Sequence, residues 1–188
     1  MVEKERKQQI LKAAEKRFAR HGLNKTTLEE IARDLRIGKT TIYHYFSSKE
    51  ELFYAAIKWE SDLVLEELAK IFSSEVFSIA EKLSLYFEFK EGLDKKYSLI
   101  YEVLLKLFYN NEHEKESEPI VYLIKKEEEL IKKSILKPNK IENESLALFI
   151  VQQSWGWLFS NKIASISNTE IEILTKEIFI KSIQNMLS

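Results

Sequence analysis

Within six residues, Lys39, Thr40, Tyr43 and His44 offer an ammonium, a hydroxyl, a phenol and an imidazole. On a helix, at about 100° per residue, these four share one side, and Ile42, Tyr45 and Phe46 fall roughly on the other. Such a face supplies donors for phosphate oxygens and mixed partners for base edges. Ser47 and Ser48 precede Glu50 and Glu51 by three residues each, which predicts a further helix start and leaves Lys49 in its first turn. A cation there works against the helix dipole unless an anion lies nearby, and a DNA phosphate is a natural candidate.

The preceding residues predict how that face is held. Thr27 with Glu30, and Thr26 with Glu29, fit the spacing in which a hydroxyl and a carboxylate satisfy the free amides of a helix start. Leu28, Ile31, Ala32 and Leu35 then line one helical face, and Arg36, Ile37 and Gly38 interrupt it. Gly38 tolerates a sharp turn and belongs at the junction between two short helices. A first helix is expected from about Glu3 to His21, with Ile10, Ala14 and Phe18 on one stripe and Gly22 as its stop. These three helices form a head. A fourth, from about Lys49 to Phe72, connects it mechanically to the remainder of the chain.

The segment from Thr26 to Leu52 resembles the helix-turn-helix of the tetracycline-repressor (TetR) family of bacterial transcriptional regulators. The matching elements are RFARHG closing the first helix, then TTLEEIA, TTIYHYF and SKEEL, together covering residues 6 to about 55. The resemblance places Thr41, Tyr43, His44 and Lys49 where family members usually touch DNA, with Thr27, Lys39 and Thr40 as secondary candidates. This chain departs from the pattern in three places. Arg36 stands for the usual turn glycine, Gly38 for a small capping residue, and Thr40 for a frequent Gly or Ala.

Charge agrees with a polyanionic partner. The net charge of the 188 residues is -1, yet residues 1 to 49 hold 12 Lys and Arg against 6 Asp and Glu, or +6, leaving 17 against 24, or -7, for the rest. The basic end points to nucleic acid. No cysteine is present, so thiolate metal sites and disulfides are excluded. The longest wholly apolar run, Leu146 to Val151, is far short of the roughly 20 residues that span a bilayer, and the N-terminus has no apolar signal core. A cytoplasmic protein without cofactor or metal is expected. No HExxH, GxSxG or phosphate-binding loop supports an enzyme.

The predicted fold class is all-α, about nine helices, with a helix-turn-helix head over residues 1–50 and an effector-binding and dimerisation body over 51–188. Periodicity gives body helices at about Val76–Glu91, Lys95–Asn110, Pro119–Leu136, Asn143–Ser165 and Thr169–Leu187, with a polar linker over 110–118 that contains His113. Pro119 suits a first helical turn. Leu146 to Phe159 is apolar nearly all round. The last helix carries two apolar stripes, Ile171, Leu174 and Ile178 on one and Phe179, Ile183, Met186 and Leu187 on the other. A homodimer through these last two helices would cover both faces. It would also hold two recognition helices about one DNA turn, roughly 34 Å, apart.

Tyr86, Phe89, Tyr101, Phe108 and Trp155 are the aromatics expected to line a pocket for an apolar or aromatic small-molecule effector. Gln152 is its expected polar partner, with Gln153 and Ser154 beside it. The family resemblance favours such a pocket. The function these readings imply is a ligand-responsive, sequence-specific DNA-binding regulator, a repressor released from a palindromic operator. The alternatives are a DNA binder without a small-molecule switch, or a helical protein-interaction module that has lost DNA binding.

Overall fold

The computed structural model describes residues 2–109, 114–136, 142–166 and 176–187. Among these it contains ten helices and no strand, so the all-α expectation holds. They are α1 (Val2–Lys25), α2 (Leu28–Asp34), α3 (Lys39–Tyr45), α4 (Lys49–Ser73), α5 (Ile79–Glu91), α6 (Leu93–Lys96), α7 (Ser98–Tyr109), α8 (Glu114–Ile135), α9 (Glu142–Ile166) and α10 (Lys176–Leu187). The chain forms two compact units. One is Met1–Val64 with Asp94–Tyr122, and the other is Leu65–Leu93 with Leu123–Ser188, so α4, α6 and α8 contribute to both.

In the first unit the head is built as its sequence dictates. Ile10, Ala14 and Phe18 of α1, Leu28, Ile31 and Ala32 of α2, and Ile42 of α3 are all buried, together with Phe46, Leu52, Phe53 and Ile57. Phe18 meets Phe53 edge-on, with ring centroids 5.0 Å apart. Arg17 locks α1 to α2 through a two-pronged contact with Asp34, Nε to Oδ2 at 2.6 Å and Nη2 to Oδ1 at 2.7 Å. This pair is partly solvated, and its contribution lies more in geometry than in free energy. Helical geometry is interrupted at Gly22, whose φ of 73° is left-handed, where a stop was expected.

The turn corrects two sequence-based expectations. Thr26 does not start α2. Its fully buried hydroxyl donates to the Gly22 carbonyl at 2.8 Å and so finishes α1, leaving Thr27 and Glu30 as the capping box. Gly38 is the N-cap of α3 at an ordinary φ of -72° and uses none of its conformational freedom. The left-handed residue is Arg36, at φ 54°. Ile37 N donates to Ala32 O at 3.0 Å and Arg36 N to Arg33 O at 3.1 Å, the paired bonds of a helix end whose left-handed position glycine usually fills. Arg36→Gly should therefore raise stability by about 1 kcal/mol, read as a midpoint about 2–4 °C higher in a thermal melt. An unchanged or lower midpoint would remove the strain assigned to this turn.

Further corrections arise in the later helices. The single helix expected over Lys95–Asn110 is two, α6 and α7, separated at Tyr97. The new N-terminus of α7 is capped from α4, where Glu60 Oε2 accepts from Ile100 N at 2.6 Å and the carboxyl also accepts from Leu99 N. Burial pushes the Glu60 carboxyl up to about 8, and the neighbouring Glu15 carboxylate adds to the shift, although the two backbone bonds oppose it. Helix α5 starts at Ile79, later than Val76, because Ser78 and Glu81 form a second capping box. Helix α8 starts at Glu114, ahead of Pro119, which lies in the helix interior where its missing N–H removes one bond. His113, Ile171 and Leu174 lie outside the described residues.

In the second unit α5 packs on both α9 and α10. Its buried stripe is Leu83, Tyr86, Phe87 and Lys90. Phe87 sits edge-on to Trp157 and Phe179, with centroids 6.0 and 5.1 Å away. On α10, Phe179 is half-buried and Ile183 buried, whereas Ile178 and Met186 remain about half exposed. The opposite side of α9 exposes Leu148, Gln152 and Gly156.

Candidate functional site

Helix α3 turns Thr40, Tyr43 and His44 to solvent and buries Ile42, as its period requires. Tyr43 is 46 % exposed, high for so large an aromatic side chain. Thr41 is half-buried on the flank. His44 stacks edge-on against Tyr45 at 5.2 Å, and its Nε2 lies 4.0 Å from Glu3 Oε1. The structure thus brings Thr40, Tyr43 and His44 together on one outward face.

Three other candidates are already engaged. Lys39 is ion-paired with Glu29 of α2 and lies 5.3 Å from the centre of the Tyr43 ring. The hydrogen bond between them raises the ammonium and holds the Glu29 carboxyl below its usual range. Thr27 spends its hydroxyl proton on Glu30 Oε2 at 2.9 Å, which leaves it an acceptor with nothing to donate to a phosphate. Lys49 donates to the Leu23 carbonyl at 2.8 Å, where it meets the free carbonyls near the end of α1. The predicted anion partner of Lys49 is thus met in part within the fold, and two of its three N–H donors stay available. Lys39–Glu29 escaped the sequence reading because its partners lie on different helices, so no helical spacing links them.

The expected pocket residues separate. Tyr101 is buried in the first unit, while Tyr86, Phe89, Gln152 and Trp155 belong to the second. Phe89 is half-buried and Gln152 exposed. Phe108 is on α7, with its side chain outside the described residues. Tyr86 and Trp155 do come together, around two residues the sequence reading missed. Lys90 and Glu127 are both fully buried and paired, Nζ to Oε1 at 2.5 Å. Lys90 Nζ lies 3.3 Å from the centre of the Trp155 ring. Tyr86 donates to Glu127 Oε2 at 3.0 Å, and Ser154 donates either to Tyr86 Oη or to the Val151 carbonyl, each 2.8 Å away. Burial pulls Lys90 down to about 8 against the opposing effect of Glu127, and it raises the Tyr86 phenol. Trp155 Nε1 is buried with no acceptor. A signal existed in the sequence, since Lys90 lies seven residues after Leu83 and Glu127 seven after Ile120, each on an otherwise apolar stripe.

A cleft of about 450 Å3 in the second unit is lined by residues that include Phe72, Phe77, Lys82, Leu130 and Lys133. Among the described residues no group of His, Cys, Asp or Glu has metal-holding geometry. No helix there is long and apolar enough to cross a membrane.

Residues 10–56 match the family described as bacterial regulatory proteins, tetR family. Over 49 residues the chain is 47% identical to the uncharacterized HTH-type transcriptional regulator YhgD of Bacillus subtilis (strain 168), a match covering 26% of each chain. The match thus spans about a quarter of that relative's length. Two solved structures are similar over nearly the whole chain. The transcriptional regulator FadR from Bacillus subtilis, in complex with stearoyl-CoA, has a TM-score of 0.66 at 16% identity, covering 96% of both chains. The reduced form of NemR from E. coli has a TM-score of 0.71 at 16% identity, covering 97% of this chain and 96% of that one. At such identities the likeness is one of fold.

Proposed function

Residues 10–56 of this chain are a DNA-binding domain of the TetR family of bacterial transcriptional regulators, and we propose on that premise that the protein is a ligand-responsive, sequence-specific repressor. It acts in the cytoplasm and leaves a palindromic operator when a small molecule binds the C-terminal part. The observation that carries the reading is the outward face of α3, on which Thr40, Tyr43 and His44 are exposed while Ile42 and Phe46 anchor the helix.

On this reading Tyr43 and His44 reach base edges, Thr40 and Thr41 contact the backbone, and Lys49 adds a phosphate contact with its remaining donors. Lys39 and Thr27 act at second hand, Lys39 by leaving Glu29 for a phosphate and Thr27 by fixing the start of α2. Replacing Tyr43 or His44 by Ala should cost about 1–3 kcal/mol on the selected operator and relax preference at particular base positions. Fluorescence anisotropy on a panel of single-base operator variants reads this directly. An unchanged base profile in both variants would move recognition off this face.

The dimer is proposed through α9 and α10. The exposed side chains of Leu148, Ile178 and Met186 support it, as does Gly156, where an added Cβ meets nothing within 4 Å. Gly156→Leu consequently has room within one subunit, where it should stabilise the helix by roughly 1 kcal/mol. If α9 packs against its copy, the same change forces the two helices apart. The expected result in analytical ultracentrifugation is a shift from dimer to monomer, and an unshifted dimer would place the interface elsewhere.

The body is proposed to hold the effector, and the fold shared with FadR, whose structure contains stearoyl-CoA, supports that. A hundredfold loss of operator affinity on ligand binding needs only about 2.7 kcal/mol of coupling, and the operator must weaken ligand binding by the same factor.

A further inference from the structure

We propose that the buried cluster around Trp155 recognises the carbonyl group of a neutral, otherwise apolar ligand, an assignment that rests on reading the body as an effector domain. The cluster leaves one of its donors without an acceptor. Lys90 brings three N–H groups, and Tyr86, Ser154 and Trp155 bring one each. The acceptors facing them are the two Glu127 oxygens, which take Lys90 and Tyr86, together with the Tyr86 hydroxyl and the Val151 carbonyl. Ser154 disposes of its proton locally, on Tyr86 or on the Val151 carbonyl. The Trp155 Nε1–H is left buried without a partner. A buried donor in that state calls for an explanation, because almost all such groups in native proteins are paired.

Charge decides the class of the missing acceptor. Lys90 and Glu127 neutralise each other at full burial, so an entering carboxylate or phosphate would leave a net negative charge away from water, at a cost that one indole donor does not offset. A cationic ligand would likewise leave a net positive charge away from water. An uncharged carbonyl, as in a ketone, quinone, ester or amide, satisfies the N–H and leaves the ion pair intact.

The cleft supplies the apolar part of the site. It is lined in part by Phe72, Phe77 and Leu130, and its volume lies within the range of small-molecule pockets. Phe72 is itself buried, and its ring lies 5.3 Å from that of Tyr86. Leu130 is three residues along α8 from Glu127. Phe72 thus lines the cleft and meets the cluster through Tyr86, and it belongs to the same helix that begins at Lys49.

The experiment is isothermal titration calorimetry of the full chain with 2-undecanone and with decanoate, alongside Trp155→Phe, which keeps a ring under the ammonium and removes the N–H. The ketone should bind wild type at least tenfold more tightly than decanoate. Trp155→Phe should bind the ketone about tenfold more weakly. No ketone binding, tighter binding of decanoate, or equal ketone affinity in Trp155→Phe would each overturn the site. If Trp155→Phe fails to fold, the preference of wild type for the ketone decides alone. Ketone binding that leaves operator affinity unchanged supports the site and overturns the ligand switch of the proposed function.

Discussion

Lys90→Met alone should cost about 3–5 kcal/mol of stability, because it leaves the Glu127 carboxylate buried with one phenol for company. Glu127→Leu alone should cost a similar amount, since it strands the Lys90 ammonium over the Trp155 ring. The double replacement, Lys90→Met with Glu127→Leu, should be within about 1 kcal/mol of wild type or more stable, because two desolvation penalties disappear along with one attraction. Chemical denaturation of the four proteins closes this cycle. If the double variant lost the sum of the two single losses, the two side chains would be uncoupled and the buried pair would be contradicted. If instead the double variant is stable but no longer binds the ketone, the buried charges are retained for function.

The second large effect belongs to Glu60. Its folded-state pKa of about 8 lies above the ordinary value of 4.5 because the carboxyl is buried beside Glu15. The folded protein keeps a proton that the unfolded chain releases above that ordinary value. The contribution of Glu60 is therefore fully present below about pH 4.5 and is lost as pH rises to about 8, by several kcal/mol. Glu60→Gln mimics the protonated form, with a carbonyl for the Ile100 amide and an N–H for Glu15. The variant should match wild type near pH 5 and exceed it by several kcal/mol at pH 8, where its stability should be nearly flat in this window. Urea denaturation at a series of pH values checks this, and parallel profiles for the two proteins would place the titrating group elsewhere.

Glu60 also shows where the sequence stopped being legible. Helices were readable wherever a buried stripe repeats every three or four residues, as in α1, α4 and α9. The break between α6 and α7 was not, because the carboxyl that caps the new N-terminus comes from a residue 40 positions away. The same limit governs the sites. The outward set on α3 follows from local periodicity, which also marks Lys90 and Glu127 as charges on apolar stripes. Their pairing across 37 residues, and that of Lys39 with Glu29, requires the packing of whole helices. Arg36 is an intermediate case. Its departure from the usual glycine was visible in the chain, and the structure adds that it adopts the left-handed conformation glycine would have taken.

Operator recognition by the α3 face is tested by the salt dependence of binding to a fragment selected from the organism's own genome, set against a scrambled fragment of equal length. The expected result is a two-fold-symmetric selected sequence, bound at least a thousandfold more tightly than the scrambled one, with the logarithm of affinity for both falling linearly as the logarithm of salt concentration rises. Equal affinity for the two fragments, or no DNA binding at low salt, would contradict it.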